Sequence, residues 1–126
     1  MKQHEEWLSK AEGDLKSSKT LYATGDETQF DSAIYHTQQC AEKALKACIV
    51  SHGKAVEKTH NLRAILEVCI EFDTSFESLL DLVVKVNPYG TIFRYPGEIM
   101  HPTADDVQEA IDATEHIFSH VTKKIL

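Results

Sequence analysis

The chain is poor in the residues that lock or cross-link a backbone. Its 126 residues include three prolines, five glycines, three cysteines and one tryptophan. Cys40, Cys48 and Cys69 contain no CxxC pair. Their odd number and placement on apolar helical stripes read as reduced, buried thiols, which excludes a disulfide framework and a zinc site built on them. Cys40 and Cys48 fall two turns apart on one helix and cannot reach each other. No apolar run is long enough to span a membrane, since Lys, Glu and His break the longest stretches. The opening MKQHEEW lacks the apolar core of a signal peptide, so the expected location is the cytoplasm. Period-two alternation and internal repeats are missing, and so are GxGxxG, a P-loop, paired carboxylates and a Ser-His-Asp arrangement. Positive charge is also short: the formal net charge is −7. That excludes a broad basic face for nucleic acid but leaves room for a small local site.

What is present is helical periodicity. Trp7, Leu8, Ala11, Leu15, Leu21 and Tyr22 recur at three- and four-residue steps, predicting an amphipathic helix over 5–23 that Gly25 ends. Asp26 with Gln29 reads as a capping box for a long second helix over 27–52, closed by Gly53. Its alanines (Ala41, Ala44, Ala47) allow a neighbour to approach closely. A polar link at 54–59 precedes a third helix over 61–72 with Leu62, Ile65, Leu66 and Cys69 inward. Thr74 and Glu77 suggest another capping box before Leu79, Leu80, Val83 and Val86. Pro88 should push Asn87 out of the helical region, ending that helix near Val86. Pro88, Pro96 and Pro102 all lie in the irregular stretch that follows. Thr103 then caps a last helix, with Asp105 and Asp106 favoured in its first turn and Lys123 and Lys124 at its end. Short connections favour antiparallel neighbours. The expected fold is all-α: an up-and-down antiparallel four-helix bundle with an additional short helix, forming a single domain over 1–126.

The second helix carries an anomaly. Ile34, Ala41, Leu45 and Cys48 define one apolar stripe, and Gln38 falls inside it beside Gln39. A buried amide costs free energy unless it is hydrogen-bonded, so something polar should cross this helix. Arg94, between Phe93 and Tyr95-Pro96, is a candidate. Lys43 and Lys46 could join Arg94 in a local cationic patch, or simply solvate the helix. Arg94 and His101 are separated by six residues, YPGEIM. Such a pair could cleave RNA without metal: the histidine would accept the ribose 2′-hydroxyl proton, and the arginine would hold the phosphate and its developing charge. Alternatively, Arg94 bonds Glu42 or helix-end carbonyls and His101 is a loop residue before Pro102. Tyr35 and Tyr95 could stack on a base or bury their rings. His116 and His120 share a helix face but lack a third ligand, so no metal is expected, and no cofactor either. Helix 2 also has apolar residues on more than one face (Ile34, Tyr35, Cys40, Ala44, Leu45, Ile49), which suggests a second copy covering part of it.

WLSKAEGDL at 7–15, QQCAEKALKA at 38–47, THNL at 59–62 and FRYPGE at 93–98 occur in an order that resembles the HEPN family of small α-helical prokaryotic domains. The resemblance covers nearly the whole chain. It implies a two-fold homodimer and either of two activities. One is a nucleotide- or RNA-binding partner of a small nucleotidyltransferase in a toxin–antitoxin-like pair, with Gln38, Gln39, Glu42, Lys43, Lys46 and Tyr95 around Arg94 as its binding set. The other is a metal-independent endoribonuclease with Arg94 and His101 as the catalytic pair, since the family's signature is Arg, four to six residues, then His. Two positions depart from the pattern. Tyr95 stands where ribonuclease members commonly carry a small polar residue. Thr103 stands where the branch silenced by adenylylation carries a tyrosine.

Overall fold

A computed structural model of the chain describes residues 2–93 and 101–126. The described residues contain no strand and form five α-helices: α1 (Gln3–Ala23), α2 (Phe30–Ser51), α3 (Leu62–Phe72), α4 (Leu80–Val86) and α5 (Ala104–Ile125). Three are long, at 21, 22 and 22 residues, and two are short, at 11 and 7. The expected fourth long helix is divided, because a 3-10 turn at Thr74–Leu79 precedes α4.

α2 is the axle of the bundle, packed against α1, α3, α5 and, to a smaller extent, α4. Ala33, Ile34, Ala41, Ala44, Leu45, Ala47 and Cys48 are fully buried along it. The small side chains let α1 and α5 come close enough for buried hydroxyls to bond backbone across the interface. Ser18 donates to the Ala33 carbonyl at 2.7 Å, and Thr114 to that of Thr37 at 3.3 Å. Each large aliphatic side chain removed from water here contributes about 1.5–3 kcal/mol. Ile34, Cys40, Ala44, Leu45 and Ile49 are all covered by the chain itself. A second copy is therefore not needed to cover these five, while Tyr35 stays half-buried. A smaller apolar cluster (Phe30, Ala33, Ile34, Val107, Ala110, Ile111) joins the start of α2 to the start of α5. Tyr89 and Phe93 pack on it and stack on each other at 5.9 Å.

Helix ends follow local chemistry with some shifts. Gly25 and Gly53 adopt φ of 70° and 79°, the left-handed region that a Cβ opposes. Asp26 accepts from Thr28 N–H instead of pairing with Gln29, and it caps a 3-10 turn at Glu27–Gln29 ahead of α2. Asp73, not Thr74, caps the next turn through Ser75 N–H. Asn87 keeps helical backbone angles (φ −49°, ψ −47°) despite Pro88. Its side chain accounts for this: Oδ1 accepts from Leu62 N–H at 2.8 Å and so anchors a 3-10 turn at Asn87–Gly90 to the start of α3.

Thr103 and Asp106 form a reciprocal capping box at α5. Thr103→Ala should lower unfolding free energy by about 1 kcal/mol, read as a shifted urea midpoint at constant slope. Thr103→Ser should leave the midpoint near wild type.

Candidate functional site

Gln38, Glu42 and Lys46 follow one another at four-residue steps on α2, so they share a face, and all three are buried. Glu42 is the centre. Its Oε1 accepts from Gln38 Nε2 at 3.3 Å and its Oε2 from Lys46 Nζ at 3.0 Å. His60, arriving from the linker, places Nδ1 at 3.1 Å from both oxygens. Lys46 Nζ also lies 5.9 Å from the Trp7 ring centroid on α1. A carboxylate this deep is tolerable only with its lone pairs occupied, and the three donors do that.

The inward glutamine thus finds its partners among the described residues. Gln38 Nε2 donates to Glu42 and to the His60 carbonyl (3.2 Å), and Oε1 accepts from Gln39 Nε2 at 2.7 Å. Asn61, not His60, caps α3, accepting from Arg63 and Ala64 N–H. Asn87 Nδ2 reaches Asn61 Oδ1 at 3.4 Å, tying the 87–90 turn to the same place. These elements enclose a cleft of about 290 Å³ lined by Tyr35, Gln38, Gln39, His60, Asn87, Gly90 and Thr91. Gly90 borders it for a steric reason, since a Cβ there would lie 3.0 Å from Gln38 Cδ and 3.1 Å from its Oε1.

The remaining candidates are dispersed. Lys43 turns toward α1, where Asp14 Oδ2 accepts from it at 2.6 Å while His36 Nδ1 meets Asp14 Oδ1 at 2.9 Å. Neither Lys43 nor Lys46 lines the cleft, and each already faces a carboxylate. Arg94 and Tyr95 lie outside the described residues. His101 is exposed, with Nδ1 3.7 Å from Asp31 Oδ1 on the first turn of α2. That oxygen is shielded from solvent and has no hydrogen-bond partner among the described residues. Sequence reasoning missed Asp31. Its only local signal was an acid in a helix's first turn, and nothing in the pattern connects it to a residue so distant in the chain.

His116 and His120 hold no metal geometry. No cluster suited to a metal ion occurs among the described residues. His120 places Nε2 3.1 Å from Ser75 Oγ and packs edge-on against Phe76 at 4.7 Å. Burial, followed by the nearby Lys124 charge, pushes its pKa down. The three cysteines are free and buried, and desolvation raises the Cys40 thiol far above its ordinary value.

With this geometry in view, comparisons identify the scaffold. The family model described as "HEPN domain" matches residues 4–125. A protein of Methanocaldococcus jannaschii named "Putative toxin MJ1304" is 31% identical over 127 residues, covering 88% of this chain and 80% of that one. The crystal structure of ST0689, an archaeal HEPN homologue, superposes with a TM-score of 0.77 at 25% identity over 100% of both chains. That of TT1696 from Thermus thermophilus gives 0.81 at 24% identity, covering 98% of this chain and 99% of that one.

Burial of His120 sets a pH dependence. Its folded pKa lies below the ordinary histidine value of 6.5. Below about pH 6.5 the unfolded chain therefore binds the extra proton first, and stability falls as pH drops toward the folded value. Unfolding free energy should decline between about pH 7 and 5, and His120→Gln should flatten that slope.

Proposed function

The chain belongs to the HEPN domain family, and from that premise we propose that it is a one-domain, nucleotide- or RNA-binding HEPN protein, the toxin-like half of a pair completed by a small nucleotidyltransferase. The observation that carries this reading is the cleft beside Gln38 and Gln39. It joins a half-buried tyrosine to amide, hydroxyl and imidazole groups, and its wall ends at Thr91, shortly before Arg94 in the chain. Apolar and aromatic surface with a few convergent polar groups is the usual make-up of a small-ligand site. Arg94, three residues beyond Thr91 in the chain, would supply the phosphate contact, bidentate and permanently charged. The toxin role rests on the name of the Methanocaldococcus relative. Two-fold pairing rests on the family resemblance, and no helix among the described residues is long and apolar enough to cross a membrane.

A second reading, metal-independent RNA cleavage, is favoured by one contact. Asp31 faces His101 Nδ1 at 3.7 Å. Closed to hydrogen-bond distance, that carboxylate would favour a proton on Nδ1 and leave Nε2 free to act as base. His101 would take the 2′-hydroxyl proton and the 2′-oxygen would attack phosphorus. The bond from phosphorus to the 5′-oxygen would break, giving a 2′,3′-cyclic phosphate and a 5′-hydroxyl once that oxygen is protonated.

The readings separate on His101. End-labelled RNA incubated with protein in EDTA should stay intact if binding is the whole function, and His101→Ala should keep wild-type affinity. Cleavage in EDTA that His101→Ala abolishes, with affinity retained, would establish the second reading. Arg94→Ala should weaken binding under both.

A further inference from the structure

We infer that the cleft recognises a nucleobase, through the side-chain amide of Gln39 held in one orientation by Glu42 acting through Gln38. The inference rests on the binding reading above and specifies its ligand chemistry.

The argument is one of donor and acceptor bookkeeping. The amide of Gln38 lies between two acceptors, the Glu42 carboxylate at 3.3 Å and the His60 carbonyl at 3.2 Å. An ionised carboxylate and a backbone carbonyl only accept, so the end of Gln38 that faces both must be its NH2. Its oxygen is thereby turned toward Gln39, and only a donor can meet it there. Gln39 must present Nε2, as it does at 2.7 Å. Among the described residues, one N–H and the carbonyl oxygen of Gln39 are left unspent beside the cleft. Glu42 is itself fixed by Lys46 and His60, so the polarity of this relay cannot reverse at low cost.

Gly90 holds the relay from the other side. Its φ lies outside the left-handed region, so the backbone does not require glycine there. A Cβ, however, would meet the Gln38 amide at 3.0 Å. The missing side chain lets the 87–90 turn lie directly against that amide.

The lining selects the class of ligand. The described residues around the cleft include no lysine or arginine, which disfavours a phosphate inside it. One N–H beside one carbonyl oxygen matches a base edge that offers an acceptor next to a donor, as adenine does with N7 and its amino group. The volume of about 290 Å³ stands at the lower end of small-molecule sites, roughly 300–1,000 Å³, which suits a single base. That base could belong to a free nucleotide or to an unpaired position in RNA; the chemistry read is the same.

The test compares AMP, a short unstructured oligoadenylate and ribose 5-phosphate by calorimetry. AMP or the oligonucleotide should bind and ribose 5-phosphate should bind much more weakly. Binding of the oligonucleotide alone would assign the base to RNA. Gln39→Ala should weaken base-containing ligands about tenfold, the equivalent of ~1.4 kcal/mol, and leave ribose 5-phosphate unchanged. Gly90→Ala, which displaces Gln38 without touching Gln39, should weaken the same ligands severalfold. The Gln39 side-chain amide resonances should move with AMP and not with ribose 5-phosphate. Glu42→Gln should disturb those resonances in the free protein. If that variant fails to fold, Gly90→Ala carries the question. Binding that is indifferent to Gln39, or equal for AMP and ribose 5-phosphate, overturns this inference while leaving a nucleotide-binding protein. Absence of binding by every ligand overturns both.

Discussion

One buried carboxylate organises the part of this protein around the cleft. Glu42 is 4% exposed, and charge at that depth has to be matched where it lies. The same helix supplies Lys46, one turn on, and the linker supplies His60. The His60 contact fixes a segment that would otherwise run freely between α2 and α3, and the His60 carbonyl becomes a partner for Gln38. Asn61 then caps α3 and meets Asn87, which pins the turn after α4. Removing one member of a buried pair leaves the other uncompensated, which costs more than the pair contributes. The group is therefore better understood as an ordering device than as a source of net stability.

Charge reinforces that view. The chain carries a net −7, and the two lysines that could have offered a cationic face are each committed to a carboxylate, Lys43 to Asp14 and Lys46 to Glu42. Among the described residues the cleft therefore presents directional hydrogen-bonding groups and neither lysine nor arginine. Such contacts discriminate by geometry and respond weakly to salt, unlike a field of phosphate contacts.

Local chemistry was legible in the sequence, and contacts between distant residues were not. Gly25 and Gly53 end helices with positive φ, and Thr103 caps α5, because each depends on residues within one turn. The inward placement of Gln38 followed from the period of its neighbours. Its partners did not, because the His60 carbonyl comes from another element and no periodicity announces it. The same limit hid Asp31 beside His101 and the contacts of His120 with Ser75 and Phe76. Asn87 shows tertiary structure overriding a local rule. The residue before a proline avoids the helical region unless other bonds hold it there, and Leu62 N–H does so. The coverage of α2 was misjudged for a related reason: the helices that cover its several apolar faces, α1, α3 and α5, come from other parts of the chain.

α2 also relates the two proposed activities spatially. Asp31 and Gln38 are separated by two helical turns and so lie near one face of one rigid rod, about 10 Å apart along its axis. A base held against Gln39 and a ribose presented to His101 would thus be measured off by the same helix. A free nucleotide would use only the first of these positions. A strand of RNA would occupy both. On the proposed readings, cleavage would add to base binding an imidazole beside Asp31 at the start of the rod, two turns from Gln38 and apart from the Glu42-centred network farther along the same helix.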